Sequence, residues 1–225
     1  MENRTLAFPA NFSIGKISIR DREGNGEWSL FAQATGNVFI PADKEARLDV
    51  AARAAFDPEI FSSFDENALA DFEWVSTSKV TDAAIQHIQH LTGLKGLALW
   101  ETPIGDLALR HVRHLSHLRW LDIGDTKITD NGLVYLIEMR DLASLTLLND
   151  KITDRGLVEL QKLPGLVCLD LMRTLITDQG IESLCTMNRL RFLRICDTSI
   201  TEEGFNELKV CLADCGIRYH HPHHA

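Results

Sequence analysis

Leu118-Arg-Trp-Leu121-Asp-Ile123-Gly-Asp-Thr126-Lys-Ile128-Thr129-Asp130-Asn-Gly132-Leu133-Val-Tyr-Leu136 returns along this chain every 24 residues. Leu94, Leu118, Leu142, Leu166 and Leu190 each open a copy, with no insertion or deletion between them. A fixed period of this length marks a stacked-repeat architecture, in which each unit buries its apolar face only against its neighbours. Positions four and six of the copies are Leu97/Leu99, Leu121/Ile123, Leu145/Leu147, Leu169/Leu171 and Leu193/Ile195. Side chains two apart on a strand share a face. These ten are therefore expected to point inward from parallel strands.

Further along each copy, Thr129-Asp130, Thr153-Asp154 and Thr177-Asp178 are helix-start signals, because oxygen side chains cap free backbone amides. Leu133/Leu136, Leu157/Leu160, Ile181/Leu184 and Phe205/Leu208 follow at i, i+3 and give each helix one apolar stripe. Gly132, Gly156, Gly180 and Gly204 stand just before or within that stripe, where a close approach of helix and strand layers is expected. Thr102, Thr126, Thr174 and Thr198 occupy position nine, with Ser78 as the upstream match. Their hydroxyls are expected to turn inward and bond the loop backbone of adjacent turns. Asp150 replaces the threonine in one copy and is expected to accept from neighbouring hydroxyls or amides.

The pattern L-x-x-L-x-L-x-x-T-x-I-T-D-x-G-L-x-x-L resembles the leucine-rich repeat, in its cysteine-containing-like and bacterial variant, over about two thirds of the chain. The resemblance implies an α/β solenoid with a parallel concave sheet and convex helices. Relatives with this repeat are often joined to an F-box that serves ubiquitin ligases, whereas residues 1–69 here read as β-rich. The spacing is equally similar to that of bacterial stand-alone repeat proteins.

Residues 1–69 show no copy of the repeat. Ile17 and Ile19 alternate with polar neighbours, as do Trp28, Leu30 and Ala32 across the loop Arg22–Glu27. Strands are also expected at 38–40 and near 47–51, and Asp57-Pro58 reads as a helix entry. The expected organisation is a β-rich cap over 1–69, about six repeats with an edge strand over 70–219, and a tail at 220–225. The first repeat is degenerate. Strict spacing would place Glu73 and Val75 in the core, whereas a one-residue insertion buries Leu69, Phe72 and Trp74 instead. Burying an unpaired carboxylate is expensive, which favours the insertion.

The 225 residues carry a formal charge of −9, which disfavours nucleic acid as the main partner and suits a basic or mixed-charge protein surface. No apolar run is long enough to span a membrane, and no signal peptide is evident at the N-terminus. Cys168, Cys185, Cys196, Cys211 and Cys215 are an odd count without C-x-x-C, so reduced thiols in a cytoplasmic protein are expected. His87 and His90 recur as His111 and His114 at the repeat period, with His117 three residues further on, a spacing that would suit a divalent metal. They lack recurring acidic or thiol partners and fall on the convex side, away from Cys168 and Cys196. No catalytic residue, cofactor or metal site is expected.

The concave face carries the functional expectation. Its outward positions are not copied between repeats and include Trp100, Glu101, Trp120, Asp122, Asp125, Leu148, Asp170, Met172, Arg173, Phe192 and Arg194. Tryptophan and arginine are enriched at interface hot spots, and exposed apolar clusters mark contact sites. The expected role is an adaptor or recognition module. The alternatives are an assembly component that uses its exposed ends or faces and, third, a metal- or thiol-dependent enzyme.

Overall fold

The computed structural model describes residues 3–22, 26–51, 57–74 and 80–220. Seven short strands follow the repeat: β6 (Asp71–Trp74), β7 (Gly96–Ala98), β8 (Trp120–Asp122), β9 (Ser144–Thr146), β10 (Cys168–Asp170), β11 (Phe192–Arg194) and β12 (Gly216–Arg218). They pair in parallel, with Phe72, Leu97, Leu121, Leu145, Leu169, Leu193 and Ile217 in one register line. The ten inward residues of the five clear copies are all buried. In the degenerate repeat, Phe72 stands opposite Leu97, 25 residues on, and Leu69, Phe72 and Trp74 are buried. The one-residue insertion is therefore present, and Glu73 turns to the concave side.

Among the described residues, six helices line the convex side: α1 (Asp82–Ile85), α2 (Asp106–Val112), α3 (Asp130–Leu133), α4 (Asp154–Leu160), α5 (Ile181–Thr186) and α6 (Glu202–Cys211). Most are short, since only one apolar stripe must reach the core. Thr129, Thr153, Thr177 and Thr201 cap α3, α4, the 3-10 turn before α5, and α6 through their side-chain oxygens. The aspartates do something else. Asp106, Asp130, Asp154 and Asp178 each accept from both the amide and the hydroxyl of the threonine one repeat on, at 2.6–2.8 Å. The Thr-Asp pairs thus join each turn to the next as well as starting helices.

The glycines serve the same inter-repeat contact. A Cβ at Gly156 would lie 2.5 Å from Asp130 Oδ1 and 3.0 Å from Leu133 Cδ1. The close approach is helix against preceding helix, which corrects the expected helix-to-strand reading. The position-nine threonines also differ from expectation. Thr102, Thr174 and Thr198 donate to Leu99, Leu171 and Ile195, the carbonyl three residues earlier in their own turn.

At the N-terminal end stand β1 (Arg4–Ala7), β2 (Gly15–Asp21), β3 (Ser29–Gln33), β4 (Asn37–Ile40) and β5 (Lys44–Val50). β1 pairs antiparallel with β4, and β2 pairs antiparallel with both β3 and β5. β5 then runs parallel to β6, Leu48 opposite Phe72 at the repeat spacing of 24. The parallel run therefore begins one turn before the sequence repeat becomes legible, and one ten-stranded sheet ends at β3. Asp57 caps a 3-10 turn over Pro58–Ser63. Phe8, Phe61, Phe64, Phe72 and Trp74 pack edge-to-face beneath it, closing the core end with aromatic volume. Ser78, part of the Arg22–Glu27 loop and 221–225 of the expected tail lie outside the described residues.

Cys185 of α5 and Cys211 of α6 form a disulfide, with Cα atoms 5.4 Å apart. The expectation of five reduced thiols fails at this pair, and the cysteine count loses its weight as an argument for a reducing compartment. Cys168, Cys196 and Cys215 are free.

Candidate functional site: the concave sheet face

Parallel pairing without slippage sorts the concave residues into rows across the strands. Position three gives Gly96, Trp120, Ser144, Cys168, Phe192 and Gly216, and position five gives Ala98, Asp122, Thr146, Asp170, Arg194 and Arg218. Position seven adds Trp100, Gly124, Leu148, Met172 and Cys196. Two mostly apolar rows thus flank a charged one. At about 3.3 Å per residue, the outer rows stand about 13 Å apart along the strands.

The tryptophans sit differently. Trp100 is exposed, at 38% of its full area. Trp120 is half-buried because its indole lies across Gly96, where a Cβ would come within 2.0–2.2 Å of the ring. Leu148, Met172 and Phe192 are half-buried as well. Arg194 and Arg218 both approach the Phe192 ring, at 6.0 and 5.4 Å from its centroid. Arg218 belongs to this face and was not among the expected residues. Its place on β12, beyond the last clear copy, hid it.

The charges of the central row are unevenly satisfied. Arg194 Nη1 donates to Asp170 Oδ2 at 2.8 Å. Asp122 accepts only the Gly124 amide, at 3.2 Å, and no cation pairs with it among the described residues. Burial, with a smaller contribution from Asp170, pushes the Asp122 carboxyl up. A charge-rich end of the face precedes the repeats, where Arg47 bridges Asp49 and Glu73 at 2.6 Å each.

Position eight holds a feature that hydrophobic periodicity cannot reveal. Glu101, Asp125, Asn149, Arg173 and Asp197 all have φ between 55° and 59°. Their amides donate to the carbonyls of Gly124, Leu148, Met172, Cys196 and His220, one repeat on, at 2.6–3.0 Å. This ladder holds the left-handed turn, which costs an ordinary residue about 1–2 kcal/mol. It also directs the side chains to the rim, where Asn149 donates to Asp125 and Arg173 pairs with Asp197. Asp125 and Asp122 therefore face different surroundings.

Beneath the rim, Asp150 is buried, and its Oδ1 accepts from the amide and hydroxyl of Thr126 at 2.8 and 3.0 Å. This matches the expected accepting role. Its Oδ2 is buried without a partner among the described residues, and burial pushes the carboxyl up to about 7.

Cys168 and Cys196 lie on the concave side as expected. Burial and the neighbouring Asp197 hold the Cys196 thiol above its ordinary value, which disfavours a nucleophilic thiolate. The histidines bond elsewhere: His87 to Ser62, His90 to the Phe64 carbonyl, His111 to Gln89 and His117 to Asp141. Among the described residues, no three His, Cys, Asp or Glu side chains gather as metal ligands, and no helix is long and apolar enough to cross a membrane.

A family model described as "Leucine Rich repeat" matches residues 114–136. No curated protein matches the chain significantly. Among solved structures, internalin C2 of Listeria monocytogenes is similar over 77% of this chain and 80% of its own, at 18% identity and a TM-score of 0.55. The internalin inlF of the same organism is similar over 71% of this chain, at 17% identity and a TM-score of 0.51. The match spans only 49% of the inlF chain. A leucine-rich-repeat protein of Leptospira interrogans shares 20% identity, over 67% of this chain and 37% of its own, with a TM-score of 0.49. Identities this low speak to fold. The repeat register, the family model over residues 114–136 and the two internalin structures agree on one fold, the leucine-rich-repeat solenoid.

Proposed function

We propose that the concave face recognises a protein partner and that the chain works as a non-catalytic adaptor. The observation that carries this reading is the pair of apolar rows, with Trp100 and Trp120 at one end and Phe192 at the other, around a charged row in which Asp122 has no cation beside it among the described residues. A fitting partner lays apolar side chains along the outer rows and sets a lysine or arginine over Asp122. Leucine-rich-repeat proteins commonly mediate such contacts and are typically non-catalytic. The charge of −9 favours a basic or mixed-charge partner over nucleic acid. The test is affinity capture from the source cell with the intact chain and with Asp122→Lys in parallel. A protein retained by the first and lost by the second supports the reading; equal retention contradicts it.

A second reading, self-assembly, draws on β3. This sheet edge has no charge or proline from Ser29 to Gln33 and exposes Leu30 and Phe31, whereas natural edges are ordinarily blocked. Light scattering separates the two readings: a monomer at high concentration removes the second.

A further inference from the structure

Where β5, β6 and β7 begin, away from the concave rows, a cavity of about 90 Å³ is lined by Arg4, Arg22, Glu45, Asn67, Gly93 and Lys95, among others. Arg4 donates to the carbonyls of Asn67 and Lys44, both at 2.6 Å, and to that of Ala68 at 3.3 Å. Arg22 Nε donates to the same Lys44 carbonyl at 3.2 Å. Two guanidinium groups therefore share one neutral acceptor. Neither has a carboxylate within ion-pair distance among the described residues. Glu45 is already held by Arg20 and Lys95, and Glu45 and Asp65 act on Arg4 only from beyond ion-pair distance. Arg4 Nε is buried without a partner among the described residues.

Like charges this close repel, and an unpaired buried donor is costly. An anion in the cavity relieves both. Arg4, Arg22 and Lys95 less Glu45 leave the lining two charges positive, within a chain of net −9. On a scale where one water needs ~10–15 Å³, the cavity has room for several waters, and so for a small oxyanion. Guanidinium forks match the oxygens of phosphate, which carries about −1.5 to −2 charges near neutral pH.

We propose that this cavity is a binding site for a phosphate group, either free phosphate or a phosphomonoester, held by Arg4 and Arg22 with Lys95 at the rim. Burial of Arg4 and the charge of Arg22 depress the Arg4 pKa, in keeping with a guanidinium that lacks its counter-charge.

The test titrates the full chain with inorganic phosphate, with O-phosphoserine and with acetate at pH 7.5 and constant ionic strength. Calorimetry and the side-chain Nε–H resonances of Arg4 and Arg22 are followed together. Saturable phosphate binding that shifts both resonances is expected, weakened at least about tenfold in Arg22→Gln and unchanged in Trp100→Ala. Tighter O-phosphoserine than phosphate would assign the site to phosphomonoesters, and the reverse order to the free ion. The wild-type resonances decide the matter should Arg22→Gln fail to fold. No saturable binding, acetate binding equal to phosphate, or unmoved arginine resonances would overturn the proposal.

Discussion

Asp150 stands where the other four clear copies carry threonine, and Asp150→Asn measures what that exchange does to stability. The carboxyl rises from an ordinary 3.8 to about 7, because burial penalises the anion more than the two bonds from Thr126 favour it. Folding therefore takes up a proton between those values. Stability from this group is fully present below about pH 4, is lost as pH rises towards about 7, and is flat beyond. Some three decades of proton affinity, at about 1.4 kcal/mol each, come to about 4 kcal/mol. Asparagine keeps the acceptor for Thr126, offers an amide donor at the place of the unpartnered Oδ2, and carries no charge. Urea unfolding of both proteins at pH 8 and near pH 4 reads the difference. The variant is expected to be more stable by up to about 4 kcal/mol at pH 8, with the gap nearly closed at pH 4. Equal stability at pH 8, or a gap independent of pH, would refute the assignment of a buried, largely uncompensated carboxyl.

Further outcomes follow from the inter-repeat contacts. Gly156→Ala should cost about 1–3 kcal/mol by forcing a Cβ onto Asp130 and Leu133, whereas Gly216→Ala, with its nearest neighbour 3.5 Å away, should stay within about 0.5 kcal/mol in the same thermal melts. Arg173→Gly should gain about 0.5–1 kcal/mol by relieving a φ of 58°. A loss there would mean that the exposed pair with Asp197 outweighs the strain. Unreduced peptide maps should show Cys185 joined to Cys211 and no Cys168–Cys196 link, and reduction should lower stability by about 3 kcal/mol for this loop length.

The period of 24 residues made the parallel sheet, the inward leucines and the insertion before Phe72 legible, because core burial repeats wherever the strands do. Polar partnerships were less legible. Asp130 could cap its own helix or bond the next turn, and only the stacking distance selects Thr153. Of the left-handed residues of position eight, Asp125, Asn149 and Asp197 are of types that favour that backbone, but Glu101 and Arg173 are not, so residue identity gives no uniform signal of a common turn. β5 lacks the leucine signature, yet Leu48 and Val50 fill the same inward places as Phe72 and Trp74. Cys185 and Cys211 are 26 residues apart, two out of step with the repeat, which concealed their meeting on adjacent helices. On the concave face the aromatic residues stood out by type. The pairing of Arg194 with Asp170, and the lack of any such partner for Asp122 among the described residues, required the structure.

The central claim is that recognition takes place on the concave rows. Its most direct measurement is the dissociation constant of a captured protein partner for the parent chain, Trp100→Ala and Glu159→Ala, each checked for an unchanged melt. Trp100 is exposed, so truncation should leave folding intact, and loss of a hot spot should weaken binding by about 2 kcal/mol or more, roughly thirtyfold. Glu159 lies on the convex α4 and should change affinity by less than about twofold. The opposite ranking, with Trp100→Ala binding as the parent does and Glu159→Ala failing to bind, would contradict the concave-face account.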